Sequence, residues 1–322
     1  MFNEKFGVCA APRAASPEAA LPYSMTGKPC EEMTKPKMSI PFNKACIPGR
    51  HTLSYRVRDS HRNNPVREVE VLATPEEIET FVRDGYLVRE RLLPLEQIER
   101  LRAALGETVA RDDGLERGGG KAFGGVFIRH LEDKHPAFLE MIDFAPALSV
   151  ARALLGPAVQ LRGFTGRVCY PDDPHQETEW HFHLRLVPDP LPPLFSRPVA
   201  IDALLYLDDV DDLNGPLCVI PGSHNWIEQD LGRQDFAAKP EQVVLRLPAG
   251  SLVLTHGSLW HRALPTRPGG TQRRLLLFGY SPAYMKPSIY GRKPADGLTR
   301  QLLQKPDLDE ETRELLGVAG YM

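Results

Sequence analysis

The residues best suited to chemistry in this chain are His181 and His183, which are separated by a single phenylalanine. Side chains of an extended backbone alternate with a period of two, so both imidazoles point to the same side. A third histidine, His261, lies in residues 259–263, a second stretch typical of a β-strand. Imidazole nitrogens are common metal ligands, and the three histidines together predict a metal centre built across a β-sheet.

The metal that such a site prefers depends on what completes the ligand set. Three imidazoles are typical of Zn²⁺, whereas two imidazoles and one carboxylate leave an open face on Fe(II). His175 and Glu177 form a second histidine–carboxylate pair, but they lie in an expected loop, which holds ligands less rigidly than a strand. Glu177 is also a candidate to reach the metal from outside the pair formed by His181 and His183.

Arg273 and Arg274 follow the third histidine by roughly the length of one hairpin. A guanidinium that enters the core requires an anion, because an unpaired buried charge is costly, and its planar fork suits a carboxylate. Adjacent strand residues face opposite sides of a sheet, so only one of the two can point inward. The alternative is that both are charged residues of an edge strand.

Two further motifs have both a functional and a structural interpretation. His256 is either a substrate contact or a turn residue, and the sequence favours neither. Residues 114–125 are rich in glycine and charge, but no strand-to-helix pattern flanks them, which argues against a phosphate-binding loop. We expect a mobile lid near the site at residues 118–125, which include Phe123.

Composition excludes several classes of function. The 322 residues are 42% hydrophobic and 25% charged with a net charge of −3, as in ordinary globular proteins. No run of lysine and arginine predicts binding to nucleic acid, and no apolar stretch reaches the roughly 18 residues that span a membrane. The N-terminus is a poor signal peptide, so we expect a cytoplasmic protein. Five cysteines without a Cys-x-x-Cys pair predict neither a disulfide scaffold nor a cysteine zinc site.

Three segments of the chain differ in character. Residues 1–70 are rich in Pro, Ser, Lys and Asn and lack a sustained apolar period, which predicts an irregular N-terminal extension. Residues 71–290 carry the periodic elements of the main domain. Residues 291–322 include an amphipathic helix at 307–316 and are expected to form a C-terminal helical tail packed on that domain.

Helices dominate the first part of the main domain. A capping box at residues 74–77 predicts a helix that ends at Asp84-Gly85, with Ile78, Phe81 and Val82 on its apolar face. The other elements predicted in this part are a strand at 86–88, a helix after Pro94 and a helix over 136–155.

Short strands separated by turns dominate the chain from residue 159 onward. Asn214-Gly215 is a strong signal for a tight turn. Helices followed by antiparallel strands predict an α+β fold, mainly β, with a closed or sandwiched sheet. The predicted strands cover residues 159–170, 180–187, 199–207, 217–220, 243–247, 251–254 and 274–280.

Several motifs together resemble the signature of the phytanoyl-CoA dioxygenase family. Trp180-His181 matches the start of the metal motif of that family, and residues 151–157 and 315–317 are also typical of it. The resemblance covers about residues 74–317. Its most specific parts are residues 214–224 (NGPLCVIPGSH), Gly250-Ser251, Trp260-His261 and residues 273–277 (RRLLL).

The resemblance implies a double-stranded β-helix, or jelly-roll, core with flanking helices, and an enzyme that uses Fe(II), O₂ and 2-oxoglutarate on a small molecule. It places His181 and His261 at the two histidine ligand positions. It assigns Arg273 to the distal carboxylate of 2-oxoglutarate, with Arg274 as the alternative if the register differs by one residue. Decarboxylation of the co-substrate to succinate and CO₂ would drive attack on a substrate C–H bond.

His183 departs from the family pattern, which is His-x-Asp. As one alternative, His183 is itself a ligand and gives a three-histidine centre that is one positive charge richer than usual. As a second, it turns away and leaves a position for an exogenous ligand. As a third, Glu177 substitutes for the missing carboxylate. As a fourth, the site is weak or inactive.

These alternatives leave three functions open. The first is the Fe(II)- and 2-oxoglutarate-dependent oxygenase; the second is a three-histidine metalloenzyme that does not use 2-oxoglutarate. The third is a non-catalytic binding protein on the same scaffold. Arg162, Arg167 and Arg185 suggest an anionic or polar small-molecule substrate, although surface ion pairs explain each of them equally well.

Overall fold

The computed structural model describes residues 51–56, 66–111, 116–117, 125–171, 173, 176–184, 199–226, 231, 235–285 and 297–318. For residues 51–56, 66–69 and 116–117 it describes the backbone alone. The N-terminal extension as far as residue 50, the expected lid at residues 118–124, His175 and Arg185 lie outside these ranges.

The helices of the described residues are α1 (Pro75–Asp84), α2 (Leu95–Arg111), α3 (Pro136–Leu139), α4 (Ala145–Leu155), α5 (Leu298–Leu303) and α6 (Glu310–Leu315). The predicted capping box begins α1, because the Thr74 hydroxyl accepts from the Glu77 amide and the Glu77 carboxylate accepts from the Thr74 amide. Gly85 ends this helix in the left-handed conformation, at φ 81°. None of the helices described here is both long and apolar enough to cross a bilayer.

The strands form two larger antiparallel sheets and a hairpin. The large sheet has the order β3-β10-β7-β12-β6-β5-β4, the small sheet has the order β11-β8-β9, and β1 pairs with β2. Their bounds are β1 (His51–Arg56), β2 (Val66–Val71), β3 (Tyr86–Arg89), β4 (Glu116–Arg117), β5 (Val126–Ile128), β6 (Val159–Cys169), β7 (Ile201–Tyr206), β8 (Leu217–Val219), β9 (Val243–Leu245), β10 (Leu252–His256), β11 (His261–Ala263) and β12 (Arg273–Pro282). The architecture is thus a mixture of helices and antiparallel sheets.

One face of the large sheet packs against the helices. Phe164 of β6 and Phe278 of β12 stack with ring centroids 4.3 Å apart, and Phe144 stacks on Phe278 at 6.0 Å. The largest hydrophobic cluster joins these rings to buried leucines of α2 and α4. Aromatic side chains bury large apolar areas, so this layer supplies much of the hydrophobic stabilisation of the fold.

The opposite face of the large sheet, here called the inner face, shares a second hydrophobic cluster with the small sheet. Leu204, Val253 and Leu275 of the large sheet belong to the same cluster as Leu217 and Leu245 of the small sheet. The two sheets therefore enclose one interior.

Strand register places charged side chains on this inner face as well. β12 lies between β6 and β7, and Leu275 of β12 is the partner of both Arg167 and Tyr206. Gly279 of β12 is the partner of Asp202. Residues an even number apart on a strand face the same side, so Asp202 and Tyr206 both point into the interior.

The structure corrects three predictions about elements. The helix predicted over residues 136–155 is two helices, because α4 restarts with Pro146 in its first turn, where a missing amide proton is tolerated. Val82, predicted to be on the apolar face of α1, is 58% exposed. The strand predicted over residues 180–187 is reduced, within its described part, to a single bridge between His181 and His261.

The Asn214-Gly215 turn ties two loops together. The Asn214 side chain donates to Thr271 Oγ1 at 3.0 Å and accepts from the Thr271 amide at 2.8 Å. Gly215 has φ 71°, and a Cβ there would lie 2.3 Å from the Leu264 carbonyl oxygen and 2.6 Å from Nη1 of Arg273. Only glycine fits this position, because any side chain would enter backbone and guanidinium atoms.

We expect Gly215→Ala to lower the free energy of unfolding by roughly 2–4 kcal/mol, because left-handed strain and overpacking add together. Gly269→Ala is the matched control, since Gly269 has φ 85° but a Cβ added there would meet no described heavy atom within 4 Å beyond its chain neighbours. The control should lose only about 1–2 kcal/mol. Urea denaturation measures both variants, and equal losses would contradict the close packing at Gly215.

Candidate metal centre

His181 and His261 face each other through their backbones. The amide of each residue donates to the carbonyl of the other, and both N–O distances are 3.0 Å. β11, which carries His261, pairs with β8 of the small sheet. The two rings then lie side by side, with centroids 4.4 Å apart. Two histidines far apart in sequence are thus held at one place by main-chain hydrogen bonds.

His183 joins the pair from the same segment as His181. Its amide donates to the carbonyl of Gly257 at 2.9 Å, which fixes the segment against the turn after β10. Its Nε2 atom lies 3.3 Å from Nε2 of His261. One nitrogen from each of His181, His183 and His261 lies within 4.8 Å of the other two. The structure therefore brings the three predicted histidines together.

The other nitrogen of each ring contacts an oxygen. Nδ1 of His181 lies 2.7 Å from the Glu179 carbonyl oxygen, and Nδ1 of His261 lies 2.9 Å from that of Leu259. Nδ1 of His183 lies 2.8 Å from a carboxylate oxygen of an aspartate described below. The two backbone carbonyl oxygens can only accept, so Nδ1 of His181 and Nδ1 of His261 carry the proton, and Nε2 of each ring presents a lone pair.

Burial favours the neutral forms of His181 and His261. Burial, followed by the neighbouring His183, lowers the pKa of His181 to about 4. Burial and the other two histidines lower the pKa of His261 well below its ordinary value. The Nε2 atoms of His183 and His261 lie 3.3 Å apart, a separation at which both can bind one metal ion. The residues present therefore fit a divalent metal ion with nitrogen ligands.

The sequence analysis missed Asp202, the carboxylate behind His183. Its Oδ2 atom lies 2.8 Å from Nδ1 of His183, and its Oδ1 atom accepts from Nη2 of Arg162 at 2.6 Å. Burial alone would raise the pKa of Asp202, but His183 and Arg162 lower it below its ordinary range. A signal was available, because an aspartate inside the apolar run of residues 199–207 is unusual unless it is paired.

Arg273 and Arg274 have different surroundings. Arg273 is 1% exposed; its Nη2 atom donates to Sγ of Cys169 at 3.2 Å, and its Nε atom has no hydrogen-bond partner among the described residues. Arg274 directs its guanidinium to Asp208, with Nη2–Oδ1 2.6 Å and Nε–Oδ2 2.9 Å. Of the two adjacent arginines, Arg273 is the one that points into the interior.

The interior is electropositive between the histidines and Arg273. Burial and then Arg273 lower the pKa of Arg167, and Arg167 adds to the effects of burial and His183 on His181. Burial raises the pKa of the Cys169 thiol, but Arg273 and Arg167 outweigh that effect and the net pKa is lowered. Arg273 and Arg167 thus favour the anionic form of the Cys169 thiol, as they would favour a bound anion.

The remaining candidates lie elsewhere or have structural contacts. Glu177 is half-buried and is not a member of the histidine cluster. Nδ1 of His256 accepts from the Ser258 amide at 3.0 Å, and its ring lies 4.9 Å from that of His224. His256 is the last residue of β10, and these contacts hold it where the turn at Gly257 begins.

Similarity to known proteins supports the same family as the motifs. A sequence model of the phytanoyl-CoA dioxygenase (PhyH) family matches residues 81–274, more than half of the chain. An ectoine dioxygenase of Bordetella parapertussis is 25% identical over 201 residues, which are 54% of this chain and 60% of that protein. An L-proline trans-4-hydroxylase of Streptomyces griseoviridis is 26% identical over 243 residues, which are 66% of this chain and 88% of that protein. The chain thus spans about 60% of the length of the ectoine dioxygenase that it matches.

Solved structures agree on the fold. HygX of Streptomyces hygroscopicus, crystallised with nickel and 2-oxoglutarate bound, superposes with a TM-score of 0.54 at 20% identity. The match covers 66% of this chain and 89% of that one. SnoK, an α-ketoglutarate-dependent carbocyclase from nogalamycin biosynthesis, has a TM-score of 0.54 at 21% identity and covers 70% of this chain and 93% of its own. The family match, which spans more than half of the chain, shows that the chain belongs to the phytanoyl-CoA dioxygenase family.

Proposed function

We propose that this chain is a non-haem Fe(II)- and 2-oxoglutarate-dependent oxygenase that oxidises a C–H bond of a small polar molecule. The observation that carries the proposal is the convergence of three imidazole donors, within 4.8 Å of one another, beside a sheet face that also carries the buried Arg273. Family membership supports it, as does the presence of nickel and 2-oxoglutarate in the HygX structure.

The protein residues take four roles in this proposal. His181, His183 and His261 hold the metal through Nε2, and Arg273 orients the co-substrate by pairing with its distal carboxylate. Fe(II) with 2-oxoglutarate, once bound, supplies the oxidising chemistry. Arg167 adds positive charge between the histidines and Arg273, which favours a dianionic co-substrate. The apolar side chains of the inner face exclude water from the reacting groups.

We further propose that the two sheets form the double-stranded β-helix implied by the family resemblance. The shared hydrophobic cluster supports this topology, because it joins strands of the large sheet to β8 and β9 of the small sheet. The backbone bridge between His181 and His261 then lies at the opening of the interior, where ligands of such folds bind.

The substrate is proposed to be small and polar, in keeping with the ectoine and L-proline named for the relatives. Of the arginines considered for substrate binding, Arg162 is engaged by Asp202 at 2.6 Å and is not available as a free cation. Arg167 is half-buried on the inner face and donates through Nη2 to the Gln176 carbonyl at 2.8 Å; it is the other described arginine proposed for a polar contact with substrate.

A second function, a three-histidine metalloenzyme that needs no keto acid, is favoured by one observation. The described ligand cluster contains three imidazoles and no carboxylate. Turnover that continues when 2-oxoglutarate is omitted would select this function over the first. Metal analysis after expression would separate zinc from iron.

We expect His181→Ala and His261→Ala to lose bound Fe(II), because each removes one of three nitrogen donors. Metal content after anaerobic loading and desalting measures the effect, and each variant should fall from about one equivalent to about a tenth or less. His135→Asn is the matched control, since His135 caps α3 through its ring nitrogen and asparagine also caps helices. Full metal content in the two alanine variants would contradict the assigned centre.

We expect Arg273→Gln to weaken 2-oxoglutarate binding about 100-fold, because a bidentate charge-assisted contact contributes on the order of 3 kcal/mol. The measurement is anaerobic titration of the visible charge-transfer band that Fe(II) and 2-oxoglutarate produce together. Arg274→Gln is the control, because its guanidinium is paired with Asp208. If Arg274→Gln loses affinity and Arg273→Gln does not, the roles of the two arginines are reversed.

A further inference from the structure

A buried carboxylate contacts the residue that stands where the family pattern has its metal-binding aspartate. His183 occupies that position, and Oδ2 of Asp202 lies 2.8 Å from its Nδ1 atom. Asp202 has 0% exposure, so this contact is shielded from solvent. A carboxylate that holds the far nitrogen of a ligating imidazole fixes the orientation of the ring and raises its basicity.

The carboxylate is itself fixed from three directions. Asp202 lies on β7 within the large sheet, and its cross-strand partners are Thr255 of β10 and Gly279 of β12. The oxygen that does not face His183 accepts from Nη2 of Arg162 at 2.6 Å. A buried carboxylate is costly unless it is paired; here Oδ1 accepts a hydrogen bond from Arg162, and Oδ2 lies within 2.8 Å of Nδ1 of His183.

Gly279 makes this pairing possible. Arg162 lies on β6 and Asp202 on β7, and β12 runs between them. A Cβ at residue 279 would lie 3.0 Å from Nη2 of Arg162 and 3.2 Å from Oδ1 of Asp202. Glycine in a strand interior usually marks such a close approach, and the register of β12 also shifts directly after Gly279.

We propose that Asp202 is a positioning residue of the metal centre, and that Arg162, reaching across Gly279, holds it in place. Given the metal centre proposed above, on which this assignment rests, Asp202 orients His183 so that Nε2 points toward His181 and His261. The family pattern has a carboxylate on the metal, whereas here a carboxylate contacts the imidazole nitrogen that faces away from the proposed metal. Asp202 and Arg162 carry opposite charges, so the pair adds no net charge beside the metal centre.

The experiment measures the affinity of the purified protein for Co²⁺ by competition with a chelator, with the visible spectrum of bound Co²⁺ as a second readout. We expect Asp202→Asn to weaken binding about 10- to 100-fold and to change the spectrum. Asp208→Asn is the matched control, because Asp208 is also a buried aspartate, 6% exposed, paired with an arginine of the same sheet. It should keep wild-type affinity.

Gly279→Ala tests the same assignment without removing the carboxylate. Its methyl group would press on both the Arg162 guanidinium and the Asp202 carboxylate, each of which would have to shift slightly, and we expect a loss of Co²⁺ affinity of about several-fold. Gly163→Ala is its control, since Gly163 is the cross-strand partner of Gly279 and a Cβ added to it would meet no described heavy atom within 4 Å beyond its chain neighbours. Affinity unchanged in Gly279→Ala and in Asp202→Asn would overturn the proposal.

A double-mutant cycle separates positioning from general support of the fold. In a His183→Asp background, which restores the family carboxylate, Asp202 has no imidazole to orient. Asp202→Asn should then have little effect on Co²⁺ affinity, and an equal loss in both backgrounds would overturn the proposal. X-ray absorption of the wild type should count three imidazoles; two imidazoles with Asp202 as an oxygen ligand would overturn it too. A wild type that binds no Co²⁺ would instead overturn the metal centre itself.

Discussion

The pair of backbone hydrogen bonds between His181 and His261 is the constraint on which the site depends. It joins the segment that carries two of the histidines to β11 of the small sheet, at N–O distances of 3.0 Å. Main-chain hydrogen bonds fix positions more rigidly than side-chain contacts, because few torsions separate the bonded atoms from the ligand. This local geometry also sets the contacts of Nδ1 of His181 and of His261 with backbone carbonyl oxygens. It thereby orients Nε2 of both rings toward one point.

Buried charged side chains are the second organising feature, and they occur in two different surroundings. Asp202 and Arg162 are paired across β12, so their charges cancel within the sheet. Arg273 lies 1% exposed with a thiol as the partner of its Nη2 atom, and with its Nε atom unpartnered among the described residues. A guanidinium in such surroundings is stabilised when an anion binds, whereas the paired charges contribute mainly position. In the proposed site, Arg273 would therefore bind the co-substrate, whereas Asp202 and Arg162 would position a metal ligand.

Much of the local structure was predictable because short-range physics decides it. The capping box at Thr74 and the stop at Gly85 both lie where the sequence predicts them. The central strands are also close to their predicted positions, since apolar runs bounded by turns are strong signals. The division of residues 136–155 into two helices and the exposure of Val82 were missed, because apolar periodicity does not specify which residues the rest of the fold covers.

The sequence by itself determined the family, the histidine trio and the pair of arginines, because residue types and spacing carry that information. Tertiary structure alone decided which arginine turns inward, since strand register sets the facing of Arg273 and Arg274. It also decided the surroundings of His183, because Asp202 and Arg162 come from different strands that meet only in the folded sheet. Contacts between distant segments depend on register and packing, which no local pattern encodes.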